Sequence, residues 1–311
     1  MKLLRIGSRG SKLALWQAEH IRQRLVRDCG AKSEIVVIKT SGDNFQIAPI
    51  AEIGGKGIFI KEIEDALFDQ RVDIAVHSMK DVPTVSPRGL CFPAITKRED
   101  PRDCLVSRDS ESLADLPFGA HVGTSSLRRQ SQLRYFRKDL QVAEMRGNVD
   151  TRLRKLETEE FDAIVVAKAG LDRLGLSDRI AEVIAPEIIL SAVGQGALAI
   201  EARVGDEALR EMLASFDDGE TRAAVTAERA LLAELEGGCQ VPLGAWGRIE
   251  NGELRLDARV LAADGSECIA RSTSGSAAAN PDEIGRRLAR NLLDAGADRL
   301  LKLAGRSVGG I

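Results

Sequence analysis

The hydrophobic pattern opens on a short apolar run at residues 3–6, which predicts a strand, and then a turn over Gly7-Ser8-Arg9-Gly10-Ser11. Leu13, Leu15, Trp16, His20, Ile21 and Leu25 recur at the spacing of one helix face. Residues 34–39, rich in Val and Ile, predict a second strand, closed by Thr40-Ser41-Gly42-Asp43. Residues 58–70 predict an amphipathic helix, and residues 72–77 a third, buried strand. A β-α-β-α-β order of this kind implies a parallel or mixed sheet covered by helices.

The pattern restarts near residue 120. Residues 120–122 predict a strand, Gly123-Thr124-Ser125-Ser126 a turn and residues 127–137 a helix. A strand over 140–145 ends in Arg146-Gly147-Asn148, and a helix over 150–157 and a buried strand over 162–167 follow. Strand, Gly-Ser/Thr turn and helix open both segments, so two similar α/β domains are expected. Asp100-Pro101-Arg102-Asp103 is the expected crossover, and Val193-Gly194-Gln195-Gly196-Ala197 the expected return hinge. The first domain then comprises residues 1–98 and 197–216 and the second residues 99–196, with a central cleft between them, where ligands commonly bind. From residue 217 the texture changes. Residues 221–234 form an Ala- and Leu-rich helical stretch, 254–261 alternate like a strand with one wet face, 269–274 are suited to pair with them, and 282–303 read as one helix. Residues 217–311 are expected to form a small α+β C-terminal domain with an antiparallel sheet.

Composition acts mainly by exclusion. Apolar and charged fractions of 44% and 29% are ordinary for a globular chain. A net charge of −3 supplies no global field for nucleic acid or an anionic membrane, so anion binding must come from local clusters of Lys and Arg. No apolar run approaches a membrane span and no signal-peptide core is evident, which makes a cytoplasmic location the default expectation. The five cysteines, Cys29, Cys91, Cys104, Cys239 and Cys268, are scattered without a C-x-x-C pair. With only three histidines, this argues against a disulfide framework and against a metal site.

Five segments carry candidate chemistry. Thr124-Ser125-Ser126-Leu127-Arg128-Arg129 starts a helix, with Ser125 or Ser126 as N-cap and two arginines in the first turn. Cations oppose the helix dipole at that end. Either a bound anion repairs this, using both guanidiniums, or the segment is a solvated basic helix extending to Arg134, Arg137 and Lys138. Gly54-Gly55-Lys56-Gly57 is a glycine loop that lacks the full phosphate-loop spacing and reads as an anion-binding segment or a plain connection. His77-Ser78-Met79-Lys80-Asp81-Val82-Pro83 follows a buried strand, the usual place for a site in an open α/β sheet. Pro83 there holds Val82 extended and stops a helix from forming, so Lys80 and Asp81 would point apart if the chain stays extended, and His77 is expected to be a packed histidine. Arg9, Arg146, Arg152 and Arg173 are expected at one sheet edge as strand-end cations for a carboxylate-rich ligand. Leu235-Glu236-Gly237-Gly238-Cys239-Gln240-Val241-Pro242 presents a cysteine after two glycines, either reactive or structural, while the other four cysteines are expected to be inert.

These strings resemble the porphobilinogen deaminase (hydroxymethylbilane synthase) family. Arg98-Glu99-Asp100-Pro101-Arg102-Asp103, Arg146-Gly147-Asn148, Ala192-Val193-Gly194-Gln195-Gly196-Ala197 and Glu236-Gly237-Gly238-Cys239-Gln240-Val241-Pro242 are the further matches, in family order, the last being the most specific. The resemblance implies two periplasmic-binding-protein-like α/β domains and a dipyrromethane cofactor in thioether linkage to Cys239. It implies a transferase that condenses four porphobilinogen molecules on this primer, releases ammonia at each step and then frees hydroxymethylbilane by hydrolysis, in heme biosynthesis. It assigns catalysis to Asp81, and cofactor binding to Lys80, Asp81, Ser126, Arg128, Arg129, Arg146 and Arg152. Substrate binding falls on Arg9, Arg146, Arg152, Arg173 and Gln195, and a mobile loop on Gly55, Lys56 and Gly57. A cytoplasmic monomer without nucleic-acid or membrane partners is the accompanying expectation. Cys104, Ser191 and Glu52 depart from the family pattern without touching its motif residues.

Two other readings compete. A two-lobed binding protein for a small anion suits paired α/β domains but has no use for Cys239 in its Gly-Gly loop. Nucleic-acid binding by residues 128–138 is opposed by the negative net charge and by the single tyrosine, Tyr135.

Overall fold

The computed structural model describes residues 3–40, 60–158, 161–235, 241–276 and 280–308. In chain order these form β1 (Leu4–Ser8), α1 (Lys12–Cys29), β2 (Ser33–Val37), α2 (Lys61–Phe68), β3 (Ile74–Ser78) and β4 (Leu90–Ile95). Next come β5 (Asp103–Ser107), β6 (His121–Gly123), α3 (Leu127–Phe136), β7 (Gln141–Ala143), α4 (Val149–Thr158), β8 (Ala163–Ala167), α5 (Lys168–Arg173) and β9 (Glu182–Val183). The last part holds β10 (Leu198–Arg203), α6 (Glu207–Ala214), α7 (Gly219–Glu234), β11 (Leu243–Glu250), β12 (Glu253–Leu261), β13 (Cys268–Ser276), α8 (Pro281–Asp294) and α9 (Ala297–Val308). The chain divides into two compact units, residues 1–98 with 197–222, and residues 99–196 with 223–311.

The first unit is built on a sheet of order β2-β1-β3-β10-β4. β1, β2 and β3 run parallel, and β10 enters antiparallel to both β3 and β4. β3 is buried from Ile74 to His77, as a strand covered on both faces must be. α1 covers one face, packing Ala18, Ile21 and Leu25 on Ile6, Ile74, Val76 and Ile200. α2 packs Ile63, Ala66 and Leu67 with Val72, Ala75 and Leu90. Ser11 caps α1 through Ala14 N–H, and Gly30, at φ 62, ends it with bonds to the carbonyls of Leu25 and Val26.

The second unit repeats the arrangement. Its first sheet has order β7-β6-β8-β5-β9, with β6 parallel to β7 and β8, and β5 antiparallel to β8 and β9. Strand for strand, β6, β7, β8, β5 and β9 occupy the places of β1, β2, β3, β10 and β4. The order along the chain is permuted, because β5 is the first strand of its sheet and β10 the last of its own. The paired α/β expectation therefore holds in topology.

The second unit also carries the antiparallel sheet β11-β12-β13. Its packed face, including Leu254, Leu256, Ala258 and Val260, lies with Leu231, Leu288, Leu292 and Leu300 of α7, α8 and α9. The alternating burial of β12 matches the expected strand with one wet face. Two expectations need correction. Residues 282–303 are two helices rather than one, broken at Gly296, whose φ of 91 no β-branched or bulky residue adopts cheaply. β11 was not expected, since its Gly-Ala-rich start gives little β-forming signal.

α8 approaches α7 at Gly285, where an added Cβ would lie 2.1 Å from the carbonyl oxygen of Ala227. Gly285→Ala is expected to destabilise the protein by about 3 kcal/mol, the upper end for overpacking a core, because backbone cannot yield as a side chain does. A urea midpoint equal to that of the parent would refute this.

Candidate active site

In the first unit, the strand end after β3 carries the expected site segment. The chain does not stay extended there. Met79–Asp81 form one turn of 3-10 helix, and Val82 then returns to extended geometry, at φ −80 and ψ 125, ahead of Pro83. Asp81 is thereby exposed, and Lys80 half-buried. Asp81, Arg9, Ser11, Gln17, His77 and Ser78 all help to line a cavity of about 60 Å³. Gln17 Nε2 donates to Ser78 Oγ at 3.0 Å, which fixes α1 against the strand end.

His77 is packed, as expected, but it is also paired. Its Nε2 lies 2.9 Å from Glu201 Oε2, and both residues are buried. Glu201 Oε1, also buried, has no hydrogen-bond partner among the described residues. Glu64 on α2 feels this group. Burial first, and then the Glu201 carboxylate, push its carboxyl up to about 7, against an opposing pull from His77. Glu201 was missed in the sequence, although a Glu inside the apolar run Leu198-Ala199-Ile200-Glu201-Ala202 was a visible signal.

In the second unit, the N-terminal arginines of α3 are not solvated. Both are buried, and the anion that meets them is Asp103, at the start of β5. Arg128 Nη1 donates to Asp103 Oδ2 at 2.6 Å and to the Leu190 carbonyl at 2.7 Å. Arg129 Nη2 donates to Asp103 Oδ1 at 2.7 Å, and its Nη1 to the Val165 carbonyl at 3.1 Å. Gln195 Nε2 reaches the same Oδ1 at 2.8 Å and the Pro101 carbonyl at 2.6 Å. Burial pushes the Asp103 carboxyl up, but Arg128 and Arg129 more than reverse this and hold it well below the usual carboxylate range. Burial lowers Arg128 from its ordinary value. The sequence placed Asp103 only in a crossover, since nothing local relates it to residues 128 and 129.

Ser126 is the N-cap of α3, yet its side chain makes no capping bond. Arg152 Nε donates to the Gly147 carbonyl at 2.8 Å, and its Nη2 lies 3.3 Å from Ser125 Oγ. Burial, and then Arg129, bring Arg152 down to about 10. Gly147, at φ 115, has no room for a Cβ beside Thr151. Arg146 is held by Glu144 through Nε at 2.7 Å. Arg173 is buried rather than a surface cation, with Nε 3.0 Å from Glu99 Oε2 and Nη2 2.8 Å from the Gly196 carbonyl. The single sheet edge expected for the arginines is not found. Arg9 follows β1 of the first unit's sheet, and Arg146, Arg152 and Arg173 belong to the second unit.

Gly55, Lys56, Gly57 and Cys239 lie outside the described residues. Burial raises the thiols of Cys91, Cys104 and Cys268, that of Cys104 to about 12, which makes poor nucleophiles of them. Ser191, one of the departures from family pattern, donates its hydroxyl to the Ala245 carbonyl at 3.1 Å.

Arg128 and Arg129 against one Asp103 leave a buried excess of positive charge, and Arg129 Nε, also buried, lacks a partner among the described residues. A carboxylate-bearing ligand fits both facts. Fold and site thus define an α/β protein of paired sheets whose second unit gathers two buried arginines on one carboxylate. The porphobilinogen deaminase, dipyromethane cofactor binding domain profile matches residues 4–211, and the porphobilinogen deaminase C-terminal domain profile residues 222–294. Porphobilinogen deaminase of Syntrophotalea carbinolica is 50% identical over 299 residues, 96% of this chain and 95% of that one. The Syntrophobacter fumaroxidans porphobilinogen deaminase is 49% identical over 302 residues, 97% of each. A periplasmic substrate-binding protein of an ABC transporter from Coxiella burnetii shares a TM-score of 0.44 at 14% identity, over 68% of this chain and 91% of that one. The chain belongs to the porphobilinogen deaminase family, transferases that polymerise porphobilinogen in tetrapyrrole biosynthesis with a dipyrromethane cofactor. Among the described residues no helix is long and apolar enough to cross a membrane.

The Glu64 carboxyl gives a pH test of the first unit's acid cluster. Its folded value, about 7, exceeds the ordinary 4.5, so the folded chain binds this proton more tightly than the unfolded one. Its contribution to stability must fall as pH rises from about 4.5 to 7. Glu64→Gln is expected to gain stability over the parent at pH 8 relative to pH 4, read from denaturant midpoints. A difference independent of pH would contradict the assignment.

Proposed function

We propose that Asp81 is the catalytic carboxylate of this transferase and that Cys239 carries the primer. The observation that supports the first assignment is the shared cavity of Asp81 and Arg9 at the end of β3. An exposed carboxylate beside a guanidinium can accept the pyrrole N–H hydrogen bonds of porphobilinogen while the arginine takes a substrate carboxylate. When the C–N bond of the protonated aminomethyl group breaks, ammonia leaves with the bonding pair, and the positive charge passes to the pyrrole and its methylene carbon. Asp81, fixed on a short turn, stabilises that charge and can take up the proton lost from the attacking ring carbon.

Arg128, Arg129, Arg146 and Arg152, with Ser126 and Lys80, are proposed to hold the carboxylates of the dipyrromethane cofactor. That group, when bound, supplies the free pyrrole carbon at which the chain grows. Arg9, Arg146, Arg152, Arg173 and Gln195 are proposed to align the incoming substrate, so that nucleophile and electrophile meet in reactive geometry. The extensive engagement of Arg173 and Gln195 within the protein favours indirect alignment by these two. Gly55, Lys56 and Gly57 are proposed to form the family's mobile loop. Division into three domains, at residues 98/99, 196/197 and 216/217, and action as a cytoplasmic monomer complete the reading.

Two measurements test it. Intact mass and peptide mapping of the denatured protein should find two linked pyrrole units on the Cys239 peptide. A bare cysteine that stays bare after addition of porphobilinogen would instead favour an anion-binding protein. Asp81→Ala should lower bilane formation by about 10²–10³-fold, the scale for loss of a group that stabilises developing charge. Near-normal turnover by a primer-bearing Asp81→Ala chain would remove Asp81 from the role.

A further inference from the structure

Adjacent residues on a helix point about 100° apart. Arg128 and Arg129 are adjacent on α3, yet both guanidiniums converge on one carboxylate, and each takes a different oxygen of it. Asp103 is fully buried, and both of its oxygens are occupied, Oδ1 by Arg129 and also by Gln195. Among the described residues, the other hydrogen-bond acceptors of these guanidiniums are neutral carbonyls, Leu190 for Arg128 and Val165 for Arg129, and Leu190 also accepts from Gln132. A purely structural buried ion pair would balance one cation with one anion, since an uncompensated buried charge is costly. Here two cations share one anion, Arg129 Nε is buried without a partner among the described residues, and Arg152 is near enough to Arg129 to be affected by it.

We propose that Asp103 is the positioning residue of the primer site: it draws Arg128 and Arg129 to one point and cancels only part of their charge, so that the remainder meets the carboxylates of the tethered primer. This rests on the reading that these arginines bind the primer. Asp103 acts through them and touches no reacting atom. An Asn at this position would keep one acceptor oxygen but turn an amide N–H toward the other guanidinium, and would remove the charge. A primer carboxylate then meets two mutually repelling arginines with no common anchor.

A double-mutant cycle tests this. Asp103→Asn is made in the parent and in Cys239→Ala, which cannot carry the primer. Thermal midpoints are recorded for all four proteins, and primer occupancy of the two cysteine-bearing ones by intact mass. The primer should raise the midpoint of the parent. With Asp103→Asn that increment should fall to less than half, and the fraction of primer-bearing chains should drop several-fold. Equal midpoint losses in both backgrounds, with full occupancy, would make Asp103 a structural counterion only and overturn the proposal. If Asp103→Asn does not fold, Gln195→Met in the same cycle should shrink the increment in the same direction, and equal losses there overturn it as well. A parent chain bare at Cys239 overturns the underlying reading and this proposal together. A primer-bearing parent with an unchanged variant overturns this proposal alone.

Discussion

The second unit depends on the carboxylate of Asp103. It stands at the first residue of β5, the strand that enters antiparallel beside β8, and it gathers two arginines of α3 and the amide of Gln195 from the return crossover. Two other stretches of chain are tied to β5 by hydrogen bonds to two oxygen atoms without contact with water. Such a tie is strong only while every member is present, because removal of one leaves buried charge unmatched. A similar device secures the other side of the crossover. The buried Glu228 accepts from Gly194 N–H at 2.6 Å and from Gly247 N–H at 2.7 Å, so a single side chain joins the crossover to β11.

The first unit handles buried charge differently. His77 and Glu201 face each other across β3 and β10 at 2.9 Å, with an acid on α2 close enough to hold its proton to unusually high pH. Asp81 lies beyond this pair, exposed, on a turn that the strand end and Pro83 confine between them. Apolar packing by α1 and α2 keeps both faces of β3 dry, which leaves the strand's end as the place where polar side chains reach the cavity.

Much of this was legible in the sequence because it was local. The helical spacing of Ile21 and Leu25, the buried run before His77 and the alternation in β12 each report an environment through a repeat of two or 3.6 residues. Family strings singled out Asp81 and the arginines as candidates. Pairings across long separations were not legible. The internal counterion of the two α3 arginines was hidden because Asp103 lies 25 residues upstream of Arg128, and that of Arg173 because Glu99 is 74 residues away. The extended reading of Lys80 and Asp81 failed for a different reason. The restriction imposed by Pro83 acts on Val82 and reaches no further back, so one tight turn fits before it.

The permuted strand order has a consequence for how the chain can be assembled. Among the described residues, β4 hydrogen-bonds to the first sheet only through β10, which is synthesised about a hundred residues later. Until then β4 has no strand partner, and the edge of β3 that will receive β10 is open. On the ribosome the sheet of the second unit, contiguous between β5 and β9, can close while the first is still missing an inner strand. The domain whose sequence begins the protein is therefore completed second, and the open edge of β3 is the surface a nascent chain must protect from foreign strands in the interval.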